Sequence, residues 1–334
     1  MGPDAGSRAT APAGGVRDLD VRRGCLAVAA EARQVGIDAA AVERLARELA
    51  VEDSSPEPRW DPPHLTTGDA APSVVAGWVL LLGAMNFSFW EPEPRWRVQG
   101  QDGYMALATA LRRAHDEGHA AGDATHDASM DVAELRHLLR GDPGGPTVPP
   151  LLADRHAGAT STAGWVLEHG GDALPLVQTA ATALDLALVL ARELPRFRDI
   201  AEWRGRRVPL LKRAQLTAFD LGLALPAEAP QLSDRGGLTA FADYKLPQLL
   251  RAEGVLTLDP ALSARIDAGE ELRSGEEAEV EIRALTVVAV DRLAAALHGR
   301  GVEVDAAALD SRLWWRSQGR TDLPPYHRTR CIWY

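Results

Sequence analysis

Apolar residues recur every three or four positions along most of this chain, which is the spacing of one face of an α-helix. Behind Asp38, a typical N-cap residue, such a face runs from Val42 to Leu49. Ser274 and Glu277 have the spacing of a capping box, which predicts the start of a long helix. The next predicted helix begins at about Ser73 and leads to Asn86–Trp90, where Pro92 and Pro94 stop it. Further helices are predicted at Tyr104–Glu117, from Asp131 through Leu139, at Leu174–Leu194 and at Glu276–His298.

Strand patterns are few and short, at Arg207–Leu211 and Val255–Leu258. Proline and glycine concentrate at 54–72 and 141–146, which predicts loops there. No internal repeat or long linker divides the chain. We therefore expect a mostly α fold, with a disordered tail at 1–15 and a single multi-helix domain over 16–334.

Composition and charge narrow the classes of function. Hydrophobic residues make up 46% of the chain, enough for a substantial core. The 36 Lys and Arg against 47 Asp and Glu give a net charge of -11, which opposes binding to a DNA or RNA polymer. A small anion would need only a local basic pocket, so a small-molecule ligand is favoured.

Cysteine and histidine spacing predicts no metal site. Cys25 and Cys331 are too few for a disulfide framework, and we expect both to be buried thiols. The nine histidines show no HExxH spacing. Glycine-rich nucleotide loops (GxGxxG after a strand, GxxxxGK[ST]) and the GxSxG motif are also missing, so we expect neither a cofactor nor serine esterase chemistry.

No segment has the pattern of a signal peptide or a membrane span. The most apolar stretch, Val74–Met85, is shorter than the roughly 20 residues that a spanning helix needs. We expect a cytoplasmic protein without membrane contact.

The segment Asn86-Phe-Ser-Phe-Trp90 is the first candidate site, because a predicted helix ends there in three aromatic residues. The rings either fill the core, with Asn86 capping the helix, or form a shelf on which a flat heterocycle stacks.

Lys212 and Arg213 form the second candidate, since they follow an apolar run that should be buried. A buried cation must pair with an acid, for which Asp220 is a candidate, or meet an anionic ligand.

Asp243 is the third candidate and lies in the segment Phe241-Ala-Asp-Tyr-Lys-Leu-Pro-Gln248. Apolar neighbours disfavour its charge while Lys245 favours it, an environment that suits acid–base or charge-stabilising chemistry. The alternative is a helix cap or a partner of an arginine.

The end of the chain is unusually rich in aromatic and basic residues, so we expect it to dock on the domain. Arg328 and Arg330 alternate as in an extended strand that points both side chains the same way. Together with His327 they would either clamp a phosphate or hold the segment down.

These segments, taken together, resemble the queuosine salvage protein family. The resemblance extends over roughly 16–334 and keeps the family's order. It is carried by Gly77–Trp90, Gly103-Tyr104, Arg112–Ala114 with Glu117-Gly118, Phe197–Asp199, Lys212–Gln215, Phe241–Gln248, Glu279–Ala284, Leu313-Trp314 and His327–Arg330.

The resemblance implies a mostly helical fold that is similar in part to the helix-hairpin-helix DNA glycosylases. It also implies hydrolysis of queuosine 5′-monophosphate at the bond between the ribose and the deazaguanine base, which releases queuine for tRNA modification. Asp243 matches the catalytic aspartate and Lys212 the basic residue near the ribose phosphate. The chain departs from the family at Lys245-Leu246, where Arg-Val is usual, and lysine lacks the fork of arginine for a planar anion.

On this basis we expect base contacts and phosphate contacts from separate groups. The expected base-binding residues are Asn86, Phe87, Phe89, Trp90 and Tyr244, with Glu279 or Glu281 for the amine of the cyclopentenyl group. The expected ribose and phosphate ligands are Lys212, Arg213, His327, Arg328 and Arg330.

Two other functions stay open from the sequence. A DNA-repair glycosylase would share the fold, and a non-catalytic protein could bind a modified 7-deazapurine nucleoside without cleaving it. Preference for a different 7-deazapurine is a third possibility.

Overall fold

Fourteen α-helices carry most of the chain in the computed structural model, which describes residues 19–52 and 58–334. The mostly α fold is therefore confirmed, while the predicted tail at 1–15 lies outside the described residues. In chain order the helices are α1 (Val21–Ala29), α2 (Ala39–Val51), α3 (Pro72–Met85), α4 (Gly103–Asp116), α5 (Ala124–Ser129), α6 (Val132–Leu138), α7 (Leu152–Glu168), α8 (Ala173–Thr179), α9 (Ala183–Glu193), α10 (Lys212–Ala224), α11 (Lys245–Ala252), α12 (Pro260–Asp267), α13 (Glu277–His298) and α14 (Ala306–Ser317).

Six short strands pair into three antiparallel two-stranded sheets. The pairs are β1 (Val35–Ile37) with β6 (Leu256–Leu258), β2 (Arg97–Val98) with β3 (Gln101–Asp102), and β4 (Ile200–Trp203) with β5 (Arg206–Pro209). The two strand patterns seen in the sequence correspond to β5 and β6. In β1–β6, Val35 lies opposite Leu258, so a strand near the start of the described chain is joined to one far along it.

Two helices that are buried on almost every face over much of their length form the centre of the core. Every residue of α13 from Ala278 to Val290 is buried, as is every residue of α3 from Val75 to Met85. Helices α1 and α2 pack on α13, and α7 and α10 pack on α3. The buried apolar side chains of both groups belong to one cluster, so the described residues form a single domain.

Aspartate caps predicted from the sequence are confirmed at two helices. Asp38 accepts a hydrogen bond from the Ala41 amide at 2.8 Å, and Asp131 accepts one from the Glu134 amide at 2.8 Å. Each bond satisfies an amide that has no partner within its own helix.

The capping box predicted at Ser274 is wrong, although α13 starts within one residue of the expected position. Its N-cap residue is Glu276, whose carboxylate accepts a hydrogen bond from the Arg273 amide at 3.1 Å. Glu279 accepts one from the Gly275 amide at 3.0 Å. Two glutamates therefore satisfy the amides of the turn before the helix.

The continuous helix predicted over Leu174–Leu194 is also wrong, because α8 and α9 meet at 119°. Thr182 interrupts it: its hydroxyl oxygen accepts a hydrogen bond from the Asp185 amide at 3.1 Å and caps α9. The hydroxyl also donates to the Asp185 carboxylate at 3.0 Å. This local cap outweighs the uninterrupted apolar pattern.

Within residues 19–52 and 58–334, no single helix combines the length and apolar composition of a membrane span. Among the described residues, only the bent pair α8–α9 has the length and apolar composition of a span, and only when its two helices are counted together.

A close contact between α3 and α10 places the site described below. A Cβ atom added at Gly83 of α3 would lie 2.0 Å from Oγ1 of Thr217 in α10. Only glycine allows the helices to approach so closely, and this brings Lys212 and Asp220 of α10 beside the segment that follows α3.

We expect Gly83→Ala to lower the free energy of unfolding by about 1–3 kcal/mol, because the added methyl group has no space between the helices. Chemical denaturation measures this loss. Gly164→Ala in α7 is the matched control, since no atom lies within 4 Å of its added Cβ. We expect that variant to gain about 0.5–1 kcal/mol from helix propensity alone. Equal effects of the two substitutions would contradict the close packing of α3 on α10.

Candidate active site

A cavity of about 430 Å³ opens between the segment after α3, helix α10, the start of α11, and α14. Twelve aromatic side chains line it together with nine charged ones, so its wall combines ring faces with polar groups. A concave site in which aromatic surface and placed polar groups converge is typical of small-molecule binding.

The aromatic segment 86–90 forms one wall of this cavity, lined by Asn86, Phe87, Phe89 and Trp90. Asn86 is also the C-cap residue of α3, so the capping alternative is confirmed without removing the residue from the site. Its side chain makes no hydrogen bond to any described residue, which leaves the amide available to a ligand.

Arg155 of α7 holds this wall from behind and was missed in the sequence, where an arginine within a helix carries no signal of its own. The buried guanidinium donates to the carbonyl of Met85 and to those of Phe87 and Ser88, at 2.5 Å and 3.2 Å. Its central carbon also lies 4.5 Å from the ring centroids of Phe87 and Phe89. The shelf is thus fixed by backbone hydrogen bonds and cation–π contacts.

The C-terminal segment docks on the same wall, as predicted. Ser88 donates from its amide to the Tyr334 carbonyl and from its hydroxyl to the Cys331 carbonyl, both at 2.7 Å. The Trp90 indole N–H donates to the Thr329 carbonyl at 3.0 Å. Cys331 is buried, and Tyr334 is buried while lining the cavity.

Asp243 lies at the N-terminal end of α11 and is half-buried. Its Oδ1 atom accepts hydrogen bonds from the amides of Lys245 at 2.7 Å and Leu246 at 3.2 Å, so it caps the helix. Its Oδ2 atom accepts none from the described residues, and the side chain lines the cavity. One carboxylate can therefore be held rigidly by one oxygen and present the other to a ligand.

A buried ionic network behind Asp243 fixes its backbone. The Arg283 guanidinium donates to the Ala242 carbonyl at 3.0 Å. It also pairs with Asp199 at 2.5 Å and with Glu279 at 3.3 Å. All three charged side chains are almost completely inaccessible to solvent. The network therefore positions Asp243 without lining the cavity itself.

Lys212 is buried at the start of α10 and lines the cavity. Among residues 19–52 and 58–334 its ammonium group has no carboxylate within 4.0 Å, so the ion pair considered from the sequence is not formed there. Burial lowers the pKa of Lys212, and the charges of Asp243, Asp310 and Asp220 oppose that shift. An ammonium group under the influence of three carboxyl groups therefore forms one polar part of the cavity.

The carboxyl groups of Asp220 and Asp310 have pKa values well above the ordinary aspartate value. Burial raises the pKa of Asp220 to about 8, and burial together with the charge of Asp243 raises the pKa of Asp310 to about 8. Asp310 accepts a hydrogen bond from the Phe241 amide at 3.0 Å, whereas Asp220 accepts none from the described residues. Near neutral pH such groups can give or accept a proton, which suits acid–base chemistry. Asp310 was missed in the sequence, since nothing local shows that α14 reaches Asp243.

We expect the free energy of unfolding to fall as the pH rises from about 4, the ordinary aspartate value, through about 8. Over this window the folded protein holds protons that the unfolded chain has already lost. Asp220→Asn should flatten this dependence by up to about 1.4 kcal/mol per pH unit. Denaturant titrations of both proteins at several pH values test this. Parallel profiles would show that Asp220 is ionised in the folded protein.

His64 and Tyr104 contribute a second polar pair to the wall and were not among the expected site residues. The His64 Nδ1 atom lies 2.6 Å from the Asp61 carbonyl, which can only accept, so Nδ1 carries the proton. Burial lowers the pKa of His64, so the ring is neutral and its Nε2 atom accepts from the Tyr104 hydroxyl at 2.8 Å.

Tyr244 lines the cavity, but the two glutamates expected to bind the substrate amine do not. Glu279 pairs with Arg283 and accepts a hydrogen bond from the Tyr334 hydroxyl at 2.9 Å. Glu281 is fully buried and accepts hydrogen bonds from two amides of the chain before β1, at 2.8 Å and 3.0 Å. Both carboxylates are occupied by internal partners.

Four of the five expected phosphate ligands also lie outside the cavity lining; only Lys212 belongs to it. Arg213 points into the interior and donates to carbonyls at the end of α3, and His327 is buried 3.3 Å from the Tyr334 hydroxyl. The Arg328 backbone forms a bridge with Glu271. Arg330 pairs with Glu91 at 2.9 Å and with Glu271 at 3.3 Å. Each of these side chains or segments has a structural role in holding the C-terminal segment or α10 in place.

A group of possible metal ligands lies away from the cavity. Glu117, His119 and His137 bring one ligand atom each within 4.8 Å of one another. Glu117 is at the same time paired with Arg140, which places a positive charge at this group.

Several known proteins resemble this chain over most of its length. A family model described as queuosine salvage protein matches residues 66–334. The queuosine 5′-phosphate N-glycosylase/hydrolase of Sphaerobacter thermophilus is 37% identical over 92% of this chain and 95% of that protein. The proteins of the same name from Mus musculus and Bos taurus are both 32% identical, over 95% of this chain and 99% of theirs.

Proposed function

This chain belongs to the queuosine salvage protein family, and we propose that it hydrolyses queuosine 5′-phosphate to queuine and ribose 5-phosphate. The observation that carries the proposal is the position of Asp243, which lines the cavity, is anchored through one oxygen and has no partner for the other among the described residues. The names of the relatives supply the substrate, and the cavity supplies groups that suit its cleavage.

Cleavage of an N-glycosidic bond develops positive charge on the ribose ring. A fixed carboxylate next to the anomeric carbon stabilises that charge, or activates the water that replaces the base. Asp243 takes this role, because it lines the cavity, two amides hold its Oδ1 atom, and its Oδ2 atom has no hydrogen-bond partner among the described residues. The Lys212 ammonium, beside Asp243, is available to the ribose hydroxyl groups.

The base stacks on aromatic rings and forms hydrogen bonds with carboxyl groups. Phe87, Phe89 and Trp90 provide the shelf on which a flat deazaguanine stacks. A 7-deazapurine lacks N7, so its departure needs a proton donor elsewhere on the ring. Asp220 and Asp310 can donate a proton, and when ionised they can accept hydrogen bonds from the base or from the amine of its side group.

The acidic character of the chain supports a small-molecule substrate rather than a nucleic-acid polymer. The proposal also includes a cytoplasmic location. The two buried cysteine thiols are not joined in a disulfide, which fits a reducing compartment.

Incubating the protein with queuosine 5′-phosphate and separating the products by chromatography tests the proposal. We expect free queuine to accumulate beyond one equivalent per protein. Tight binding of the nucleotide without release would support the non-catalytic binding protein instead. Cleavage of a damaged duplex oligonucleotide, with salt-sensitive DNA binding, would support the repair glycosylase.

A further inference from the structure

Two histidines and a glutamate meet where the end of α4 approaches α6, outside the catalytic cavity. Glu117 is the C-cap residue of α4, and His119 follows it after Gly118. His137 lies in the last turn of α6, which packs on α4. One ligand atom from each side chain lies within 4.8 Å of the other two. Ligand atoms around one zinc ion lie about 3.3 Å apart, so small rotations of these side chains would bring all three to one ion.

The turn that carries the first two ligands is closed by backbone hydrogen bonds. Gly118 has a φ of +86°, a left-handed conformation that favours glycine. The amide of His119 donates to the Ala114 carbonyl at 3.0 Å. The amide of Glu117 donates to the Arg113 carbonyl at 2.9 Å. The backbone of both ligands is therefore fixed before an ion binds, which lowers the entropy cost of binding.

The end of α6, which carries the third ligand, is also held by hydrogen bonds. Arg113 of α4 donates to the Leu138 carbonyl at 2.9 Å, and the Trp96 indole donates to the Leu139 carbonyl at 3.0 Å. Trp96 stacks on Phe89 of the aromatic wall, with ring centroids 6.3 Å apart. An ion that joined α4 to this turn would therefore act on a support of the aromatic wall.

Both imidazole rings can offer an unprotonated nitrogen to an ion. The ring centroids of His119 and His137 lie 5.6 Å apart, at an interplanar angle of 58°. Within the part of the chain that the structure describes, the His119 ring makes no hydrogen bond. The Nε2 atom of His137 lies 3.4 Å from the Arg140 guanidinium, which can only donate, so Nε2 is unprotonated there. Two imidazole nitrogens and a carboxylate oxygen are a ligand set typical of Zn²⁺.

Arg140 already places a positive charge beside two of these ligands. Its guanidinium pairs with the Glu117 carboxylate and lies 3.4 Å from the His137 ring. The hydrogen bond from Arg140 lowers the pKa of Glu117, so this carboxylate is ionised, as a metal ligand must be. The Arg140 side chain is 35% exposed and can turn into solvent. A divalent ion that forms direct bonds to all three ligands can therefore replace it.

We propose that Glu117, His119 and His137 bind a divalent transition-metal ion, with Zn²⁺ as the best match, in exchange for the Arg140 guanidinium. The ion clamps the end of α4 to the end of α6, and water completes its tetrahedral shell. No spacing in the sequence marks this site, because its histidines come from different elements. The inference does not depend on the proposed function, since none of the three ligands lines the catalytic cavity.

Isothermal titration of the tag-free, chelator-treated protein with zinc chloride tests the assignment. We expect one Zn²⁺ ion to bind per chain. His119→Gln and His137→Gln should each weaken binding by more than about 100-fold, because each removes a direct ligand and loss of an outer-shell partner alone costs about 10- to 100-fold. Arg140→Gln should instead tighten binding by about 10-fold, because it removes a competing positive charge.

His298→Gln is the matched control. His298 is an exposed histidine that pairs with Glu303 at 2.9 Å but belongs to no group of three ligands among the described residues. We expect this variant to bind Zn²⁺ as the wild type does. The melting temperature should also rise with the Zn²⁺ concentration in the wild type and in His298→Gln, but not in His137→Gln, because only a folded site binds the ion.

Wild-type affinity in both His119→Gln and His137→Gln would overturn the assignment and leave an adventitious ion only. An equal loss of affinity in His298→Gln would lead to the same conclusion. Weaker binding in Arg140→Gln would overturn the exchange, because Arg140 would then support the ion instead of competing with it. Melting temperatures measured without Zn²⁺ establish that each variant is folded, so a variant that melts like the wild type but binds no Zn²⁺ supports the site.

Discussion

Asp243→Asn should lower kcat for base release by at least about 100-fold, with a smaller effect on nucleotide binding. The reason is that, in the proposed mechanism, the carboxylate acts on charge that develops only in the transition state. Asparagine keeps the shape of the side chain and an oxygen that can accept the two amide hydrogen bonds of the α11 cap. Single-turnover rates with enzyme in excess separate this chemical step from product release.

Asp243→Ala is the matched variant, because it removes the cap together with the charge. We expect it to lose a similar amount of activity and, in addition, about 1 kcal/mol of the free energy of unfolding. Near-normal turnover in Asp243→Asn would remove Asp243 from the mechanism. Loss of activity only in Asp243→Ala would assign the residue a structural role alone.

Arg283→Met should cost about 3–5 kcal/mol of the free energy of unfolding, the largest effect on stability that we expect from one substitution. It leaves the buried carboxylates of Asp199 and Glu279 without their cation. It also releases the carbonyl of Ala242, the residue before Asp243, so kcat should fall in the fraction that stays folded. Denaturant unfolding and activity measured on the same samples test both effects.

Arg265→Met is the control for this prediction. Arg265 also lies between two carboxylates, Glu270 at 2.8 Å and Glu276 at 3.1 Å, but its side chain is 35% exposed. Solvent screens such pairs, so we expect a loss below about 1 kcal/mol. Similar losses in the two variants would contradict the strong burial of the Arg283 network.

Local patterns predicted the elements of this fold well wherever one face or one cap decided the outcome. The helix behind Asp38 and the inward-facing residues of α13 follow directly from periodicity and capping. The break at Thr182 was missed because the flanking apolar pattern continues across it, and the helix ends only through a side-chain cap. The start of α13 was assigned to the wrong cap because two glutamates accept from the amides of Arg273 and Gly275, and this turn places Glu276 at the N-cap position instead of Ser274.

The site was only partly predictable, because some of its residues come from helices that are far apart in the sequence. Asp243, Lys212 and the aromatic wall stand out in the sequence as unusual residues in apolar surroundings, and the structure brings them together in one cavity. Asp310 and Arg155 come from helices far away in sequence, and ordinary helical positions do not show which side chains will meet.

Some residues that the sequence predicted to bind the substrate instead form ion pairs within the protein. The sequence marks Glu279 and Arg330 as available to a substrate, because a charge pattern does not reveal a partner elsewhere in the chain. In the structure Glu279 pairs with Arg283, and Arg330 pairs with Glu91 and Glu271. Their contacts satisfy charges of the protein itself.

The most direct test of the proposed mechanism is a crystal structure of the Asp243→Asn variant with queuosine 5′-phosphate bound. We expect the base to lie against Phe87 and Trp90, and the anomeric carbon to lie about 3–3.5 Å from the substituted side chain at position 243, as in a near-attack geometry. A nucleotide bound outside this cavity, or one whose anomeric carbon lies far from position 243, would contradict the mechanism.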